Sequence, residues 1–245
     1  MQLIKLYLAS LFFGSFLFES AVGQQQLTDT THYHQFLDSL VVRYRTGIGQ
    51  NAPLYNGSEY MGYVKRPKGH PFFGSDLMQP AQLKYDGVLY SDSMLYDLVN
   101  DAVVIKNYGG NYSLNLVNEK ISEFTLMGHF FVRLEADTTK GNGIGPGFYE
   151  RLYNDNLAVF VKRKKQINAI PGREEVTSEY VQYNFFFIRK DNRYMRVTNK
   201  RALLKILKEH KSEIRKFLRQ NHLYFKRDAD NAIAKAVAYF DQLKK

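Results

Sequence analysis

The chain has 245 residues, of which 44% are hydrophobic and 15% aromatic, so it carries the means for a packed core and is not a disordered polymer. It contains no cysteine, which excludes disulfides, thiol catalysis and a lipid-bearing cysteine. The formal net charge is +10, unevenly placed: residues 1–150 hold more acids than bases, while residues 151–245 carry the whole surplus of Lys and Arg. That asymmetry suggests an anionic partner for the second half, such as an acidic polysaccharide, a lipid head group or nucleic acid; the plainer reading is a solvated basic face.

Residues 1–23 have the order of a cleavable secretory signal. Lys5 precedes an uncharged run from Leu6 to Phe18, Glu19 ends it, and Ala21-Val22-Gly23 offers small residues to a signal peptidase. A helix of that run rises roughly 20 Å, short of the ~30 Å hydrocarbon core, so it suits export better than anchoring. The mature chain is expected to begin near Gln24, and no later segment is apolar enough to span a membrane. The lack of cysteine fits a bacterial periplasm, outer-membrane surface or medium better than a eukaryotic secretory compartment. In that setting the sequons at Asn56 and Asn111 are chance matches.

From residue 24 to 80 the chain is first polar, then briefly helix-like through Phe36, Leu37, Leu40 and Val41, then rich in turn residues. Tyr55, Tyr60, Tyr63, Phe72 and Phe73 would hold this segment against a sheet. Residues 81–197 read as successive short strands. Gln82–Tyr85 and Val88–Tyr90 flank Asp86-Gly87, a strong hairpin signal because a type I′ turn needs positive φ at both central positions. Further strands are expected over Met94–Val99, Ala102–Lys106, Tyr112–Val117, Lys120–Leu126, His129–Leu134, Phe148–Tyr153, Leu157–Lys162, Tyr180–Ile188 and Tyr194–Val197. From residue 198 to 245 the period changes to three and four. Leu203, Leu204, Leu207, Ile214 and Leu218 predict a helix bent near Glu209–Lys211 and ended at Asn221 in a left-handed conformation. Asp228 or Asp230 then caps a last helix striped by Ile233, Ala236, Val237, Phe240 and Leu243. The fold expected is α+β: an antiparallel β meander, curled or sandwiched, followed by two or three basic C-terminal helices.

Few residues suggest chemistry. His32 and His34 would face the same way on a strand, but Asp38 is the only third ligand at hand, and zinc needs three or four. His70 and His129 sit beside glycines and could act as bases if a carboxylate such as Asp76 or Glu59 lay close, yet Ser58 and Ser75 belong to no nucleophile motif. The glycines from Gly141 to Gly147 lead into a strand and not a helix, so they offer no phosphate cradle. Aromatics and cations alternate from Phe148 to Tyr194 as in single-strand nucleic-acid binders, a mixture that any strand with one wet face also produces. No catalytic, cofactor-binding or metal-ligating set is assigned, and nucleic acid is the least expected partner.

Leu54–Tyr60, Gly69-His-Pro-Phe-Phe73, Leu83–Asp101 and the terminal Lys200–Leu243 segment together resemble a group of uncharacterised secreted proteins of Bacteroidota. The resemblance implies a Gram-negative envelope setting and no functional residues. The leading expectation is therefore an exported, non-enzymatic envelope protein that binds or scaffolds through its sheet or its basic end. Two alternatives stay open: a periplasmic carrier of lipid or another hydrophobic ligand, and a hydrolase using His70 or His129 with a carboxylate.

Overall fold

A computed structural model of the chain describes residues 39–40, 49, 52–64, 67–136, 144–171 and 176–244. The leader, His32 and His34, and most of the helix-like stretch around Phe36 lie outside these residues. The unit running from Ile48 to Lys245 holds one sheet of eleven antiparallel strands followed by three α-helices. This is an α+β fold built on a β meander.

The strands are β1 (Ser58–Glu59), β2 (Gln79–Tyr85), β3 (Val88–Asp97), β4 (Ala102–Lys106), β5 (Ser113–Asn115), β6 (Ile121–Leu126), β7 (His129–Leu134), β8 (Gly147–Asn154), β9 (Ala158–Pro171), β10 (Val176–Lys190) and β11 (Arg193–Val197). Their order is β1-β5-β4-β3-β2-β6-β7-β8-β9-β10-β11, with every pairing antiparallel. Three tight turns have positive φ at both central residues: Asp86-Gly87, Met127-Gly128 and Asp191-Asn192. That geometry matches the right-handed twist of the strands they join. Three strands differ in length from expectation. Val88–Tyr90 and Met94–Val99 merge into one continuous strand, β3, which ends at Asp97, and β9 and β10 extend far past Lys162 and ahead of Tyr180.

The sheet curls without closing. Strands β3 and β8 stand four places apart, about 19 Å in a flat sheet, yet the rings of Tyr96 and Phe148 lie 5.9 Å apart. Phe124 and Phe131 fill the space between them at centroid distances of 4.8–5.3 Å. These rings join Leu83, Tyr85, Met94 and Ile105 in a core on the concave side, and Leu54 and Phe73 from the turn-rich segment complete it.

Residues 67–73 stitch the curled edges together. The Phe73 amide donates to Tyr96 O, and the Leu98 amide donates to Pro71 O. On the other side the Lys68 amide donates to Ser178 O and the Tyr180 amide to Lys68 O, while Lys165 N reaches Leu98 O directly. Asp97 is the knot of this seam. Its fully buried carboxylate accepts from the hydroxyls of Tyr60 (3.0 Å) and Tyr63 (2.7 Å), from Asn100 Nδ2, and from the amides of Val99 and Asn100. Five donors make the burial of this charge tolerable.

The three helices are α1 (Lys200–Ile206), α2 (Lys211–Gln220) and α3 (Ala229–Leu243), with a 3₁₀ turn at Lys208–His210 where the bend was expected. Asn199 and Asp228 cap α1 and α3 through side-chain bonds to Ala202 N and Asn231 N, both 3.0 Å. Asn221 is not left-handed (φ −94°); the chain reverses one residue later, at His222 (φ 52°), after the Asn221 amide and side chain have bonded Phe217 O. Leu203, Leu207, Ile214, Leu218, Ile233, Val237 and Phe240 pack onto Val159, Val161, Ile188 and Val197 of β9–β11. Each such side chain gains roughly 1.5–3 kcal/mol on burial, so apolar contact supplies most of the hold of the helices on the sheet, with Asp230 and Asp241 of α3 adding polar bonds to Arg163 and Tyr153.

Candidate anion-binding cleft

Ser212, Arg215, Lys216 and Arg219 follow the spacing i, i+3, i+4, i+7 on α2 and share one face, while Ile214 and Leu218 are buried against the sheet. Together with Lys200 at the start of α1, and with Leu223 and Tyr224 after α2, they line an open cleft of about 410 Å³. All four cations are exposed, and none forms an ion pair with another described residue. Arg215 and Arg219 stand one turn apart, where like charges repel by a few tenths of a kcal/mol. The neighbouring acids are engaged elsewhere: Glu213 accepts from Ser212 Oγ and pairs with His210, and Glu209 bonds Lys190 and Lys244. The cleft therefore has an uncompensated positive field that an external anion would relieve, and guanidinium forks suited to carboxylate or phosphate.

A second polar feature is buried. His129 Nδ1 lies 2.5 Å from Glu150 Oε1, and the other oxygen of Glu150 accepts from Arg163 Nε (2.8 Å) and Nη2 (2.5 Å). Arg163 goes on to Asp230 in the first turn of α3. Glu150 and Arg163 are each about 95% buried, on the boundary between the concave core and the helix-covered core. His129 is partly exposed at one end of this relay, with its ring edge-on to Phe73 at 4.9 Å.

Of the two candidate bases, the structure thus brings His129 to a carboxylate, Glu150, that is neither Asp76 nor Glu59. His70 forms no ion pair with a described carboxylate, although Asp76 lies near enough to oppose the fall in its pKa; its ring stacks on Phe72 and its buried Nδ1 is unbonded. Burial first, and then the nearby Lys165 ammonium, push the His70 imidazole below its ordinary pKa. Ser75 Oγ accepts from Leu77 N and Gln79 Nε2 and serves its own turn, and no described hydroxyl bonds His129. Among the described residues no three His, Asp or Glu side chains converge as a metal site, and no helix is long and apolar enough to cross a membrane.

Sequence reasoning missed Glu150, Arg163 and Asp97. Arg163 alone had a visible signal: it continues the alternation of Val159 and Val161, the pattern of an inward-facing strand position. No protein-family model, curated protein or solved structure matches the chain.

Proposed function

We propose that the protein is exported by way of residues 1–23 and acts in the cell envelope as a non-enzymatic binding protein, its C-terminal cleft holding an anionic envelope component. The observation that carries this reading is the set of four exposed cations, Lys200, Arg215, Lys216 and Arg219, around one concavity, none of them ion-paired with another described residue. The leader sequence supports the address, and the absence of cysteine supports a bacterial envelope. The test has two arms. Fractionation of the native host with N-terminal sequencing should find a chain starting near Gln24 outside the cytoplasm; intact chain in the cytoplasm overturns export. Calorimetry of the mature protein with polygalacturonate and with phosphatidylglycerol vesicles should show salt-sensitive binding to one of them, lost in Arg215→Glu/Lys216→Glu/Arg219→Glu. Retention of binding in that variant removes the cleft from the reading.

The hydrolase alternative keeps one specific support, the 2.5 Å contact between His129 and Glu150. A ring that donates through Nδ1 leaves Nε2 able to accept a proton. Activity against ester or glycan substrates that is abolished in His129→Gln, with the fold intact, would favour it. The carrier alternative needs an apolar cavity, and the rings of Tyr96, Phe124, Phe131 and Phe148 occupy the concave side of the sheet.

A further inference from the structure

Two more clefts continue the first. One, of about 570 Å³, is lined by Thr198, Asn199, Lys200, Tyr224, Phe225 and Lys226, and shares Lys200, Leu223 and Tyr224 with the cleft on α2. The next, of about 320 Å³, shares Thr198 and Phe225 with that one and runs on to Asn184, Phe185 and Arg196 on β10 and β11. The second cleft thus continues the first along Lys200, Leu223 and Tyr224, and the third adjoins it at the end of β11, where the Arg196 side chain stands on the face of the sheet away from Val197 and the helices, over Phe185. No described Asp or Glu lines any of them.

We propose that this groove binds a linear acidic polysaccharide, several sugars long. The inference rests on the anion-binding reading of the cleft and goes further by assigning the ligand its shape and class. A compact head group or a free phosphate would fill one cleft and leave Lys226 without a role. An extended chain with repeated negative charge meets cations along the path of the first two clefts: Arg215, Lys216 and Arg219, then Lys200 and Lys226. Tyr224, half exposed, and the partly buried Phe225 give apolar surface midway, where the C–H face of a sugar ring can rest. A single-stranded nucleic acid stacks successive bases on several exposed rings, and among the described residues Tyr224 is the one half-exposed ring lining these clefts. A polymer displaces many counterions at once, which makes affinity depend on length and salt together.

The experiment titrates the mature protein with oligogalacturonates from the monomer to the dodecamer, at two salt concentrations. Affinity should climb with length and then level off once the groove is filled. Lys226→Glu should weaken the long oligomers by about tenfold and leave the shortest binding oligomer unchanged, whereas Arg196→Gln, on the far face of the sheet, should leave every length unchanged. Arg215→Glu should weaken all lengths. Length-independent affinity that still depends on Arg215 overturns the polymer groove and leaves the single anion-binding cleft standing. No binding of any oligomer, of inorganic phosphate or of phosphatidylglycerol vesicles overturns both readings. Tighter binding of oligodeoxythymidylate of matched charge overturns the polysaccharide assignment. Both variants alter exposed side chains, and circular dichroism confirms that each is folded.

Discussion

Arg163 donates through Nε and Nη2 to the same carboxylate oxygen of Glu150, with both side chains about 95% buried. A pair so placed is costly to break and cheap to replace as a unit, because losing one partner strands the other charge away from water. Glu150→Ala or Arg163→Met should each lower unfolding free energy by about 3–5 kcal/mol. The double variant Glu150→Leu/Arg163→Met should lose less than either single change. Urea denaturation of the three proteins checks this, and a double variant worse than both singles would contradict it.

Asp97 presents a different case, since its partners are neutral hydroxyls and amides. Burial and the Asp97 carboxylate together hold the hydroxyls of Tyr60 and Tyr63 far above the ordinary tyrosine range. Asp97→Ala strands two backbone amides and two phenols at the seam, and should cost about 3 kcal/mol. Asp97→Asn keeps one acceptor oxygen for the amides of Val99 and Asn100 and should cost less. Chemical denaturation ranks the two variants.

Glu209 accepts from Lys190 (2.6 Å) and Lys244 (2.5 Å), and both ammonium groups also lie over the Phe240 ring. Hydrogen bonds from Lys190 first, and then from Lys244, draw its pKa from 4.5 down to about 2. A depressed carboxylate stabilises the fold above its unfolded pKa, and that contribution disappears as pH falls through the folded value. Glu209→Gln should therefore be less stable than the parent at neutral pH. The difference should shrink as pH falls from 4.5 towards 2 and should also shrink in high salt, because the cluster is exposed. Urea midpoints at a series of pH values give the comparison.

Tyr153 gives the opposite sign at the alkaline end. Burial, and then the Asp241 carboxylate that accepts its hydroxyl proton at 3.1 Å, push its pKa from 10 up to about 12. The unfolded chain loses this proton first, so the contribution is complete below pH 10 and declines between 10 and 12. Tyr153→Phe should flatten that part of the stability profile. Thermal melts across the alkaline range, with the parent as reference, measure the slope.

The hairpins were legible because Asp86-Gly87 and Asp191-Asn192 carry their conformation locally: few residues other than Gly, Asn and Asp tolerate positive φ. The helices were legible for a similar reason, since Leu203 to Leu218 and Ile233 to Phe240 repeat with the helical period and fill one core. Strand β9 was expected to end at Lys162, and the cations Arg163, Lys164 and Lys165 that follow gave no sign of burial. In the folded chain Arg163 is buried against Glu150, and Lys165 Nζ bonds the carbonyls of His70 and Phe72. Those partners come from distant strands and loops, and no local pattern announces them. The basic cleft was half legible: the cations of α2 were plain, but their meeting with Lys200 and Tyr224 depends on how α1 and the link after α2 fold back.

The stitched seam also orders events during folding. The hairpins β2–β3, β6–β7 and β10–β11 close through two-residue turns, so they can form early and independently. Lys68 must instead find Ser178 and Tyr180 across about 110 residues, at a loop-closure cost the hairpins do not bear. Nucleation therefore belongs to the meander, and the turn-rich arm docks late.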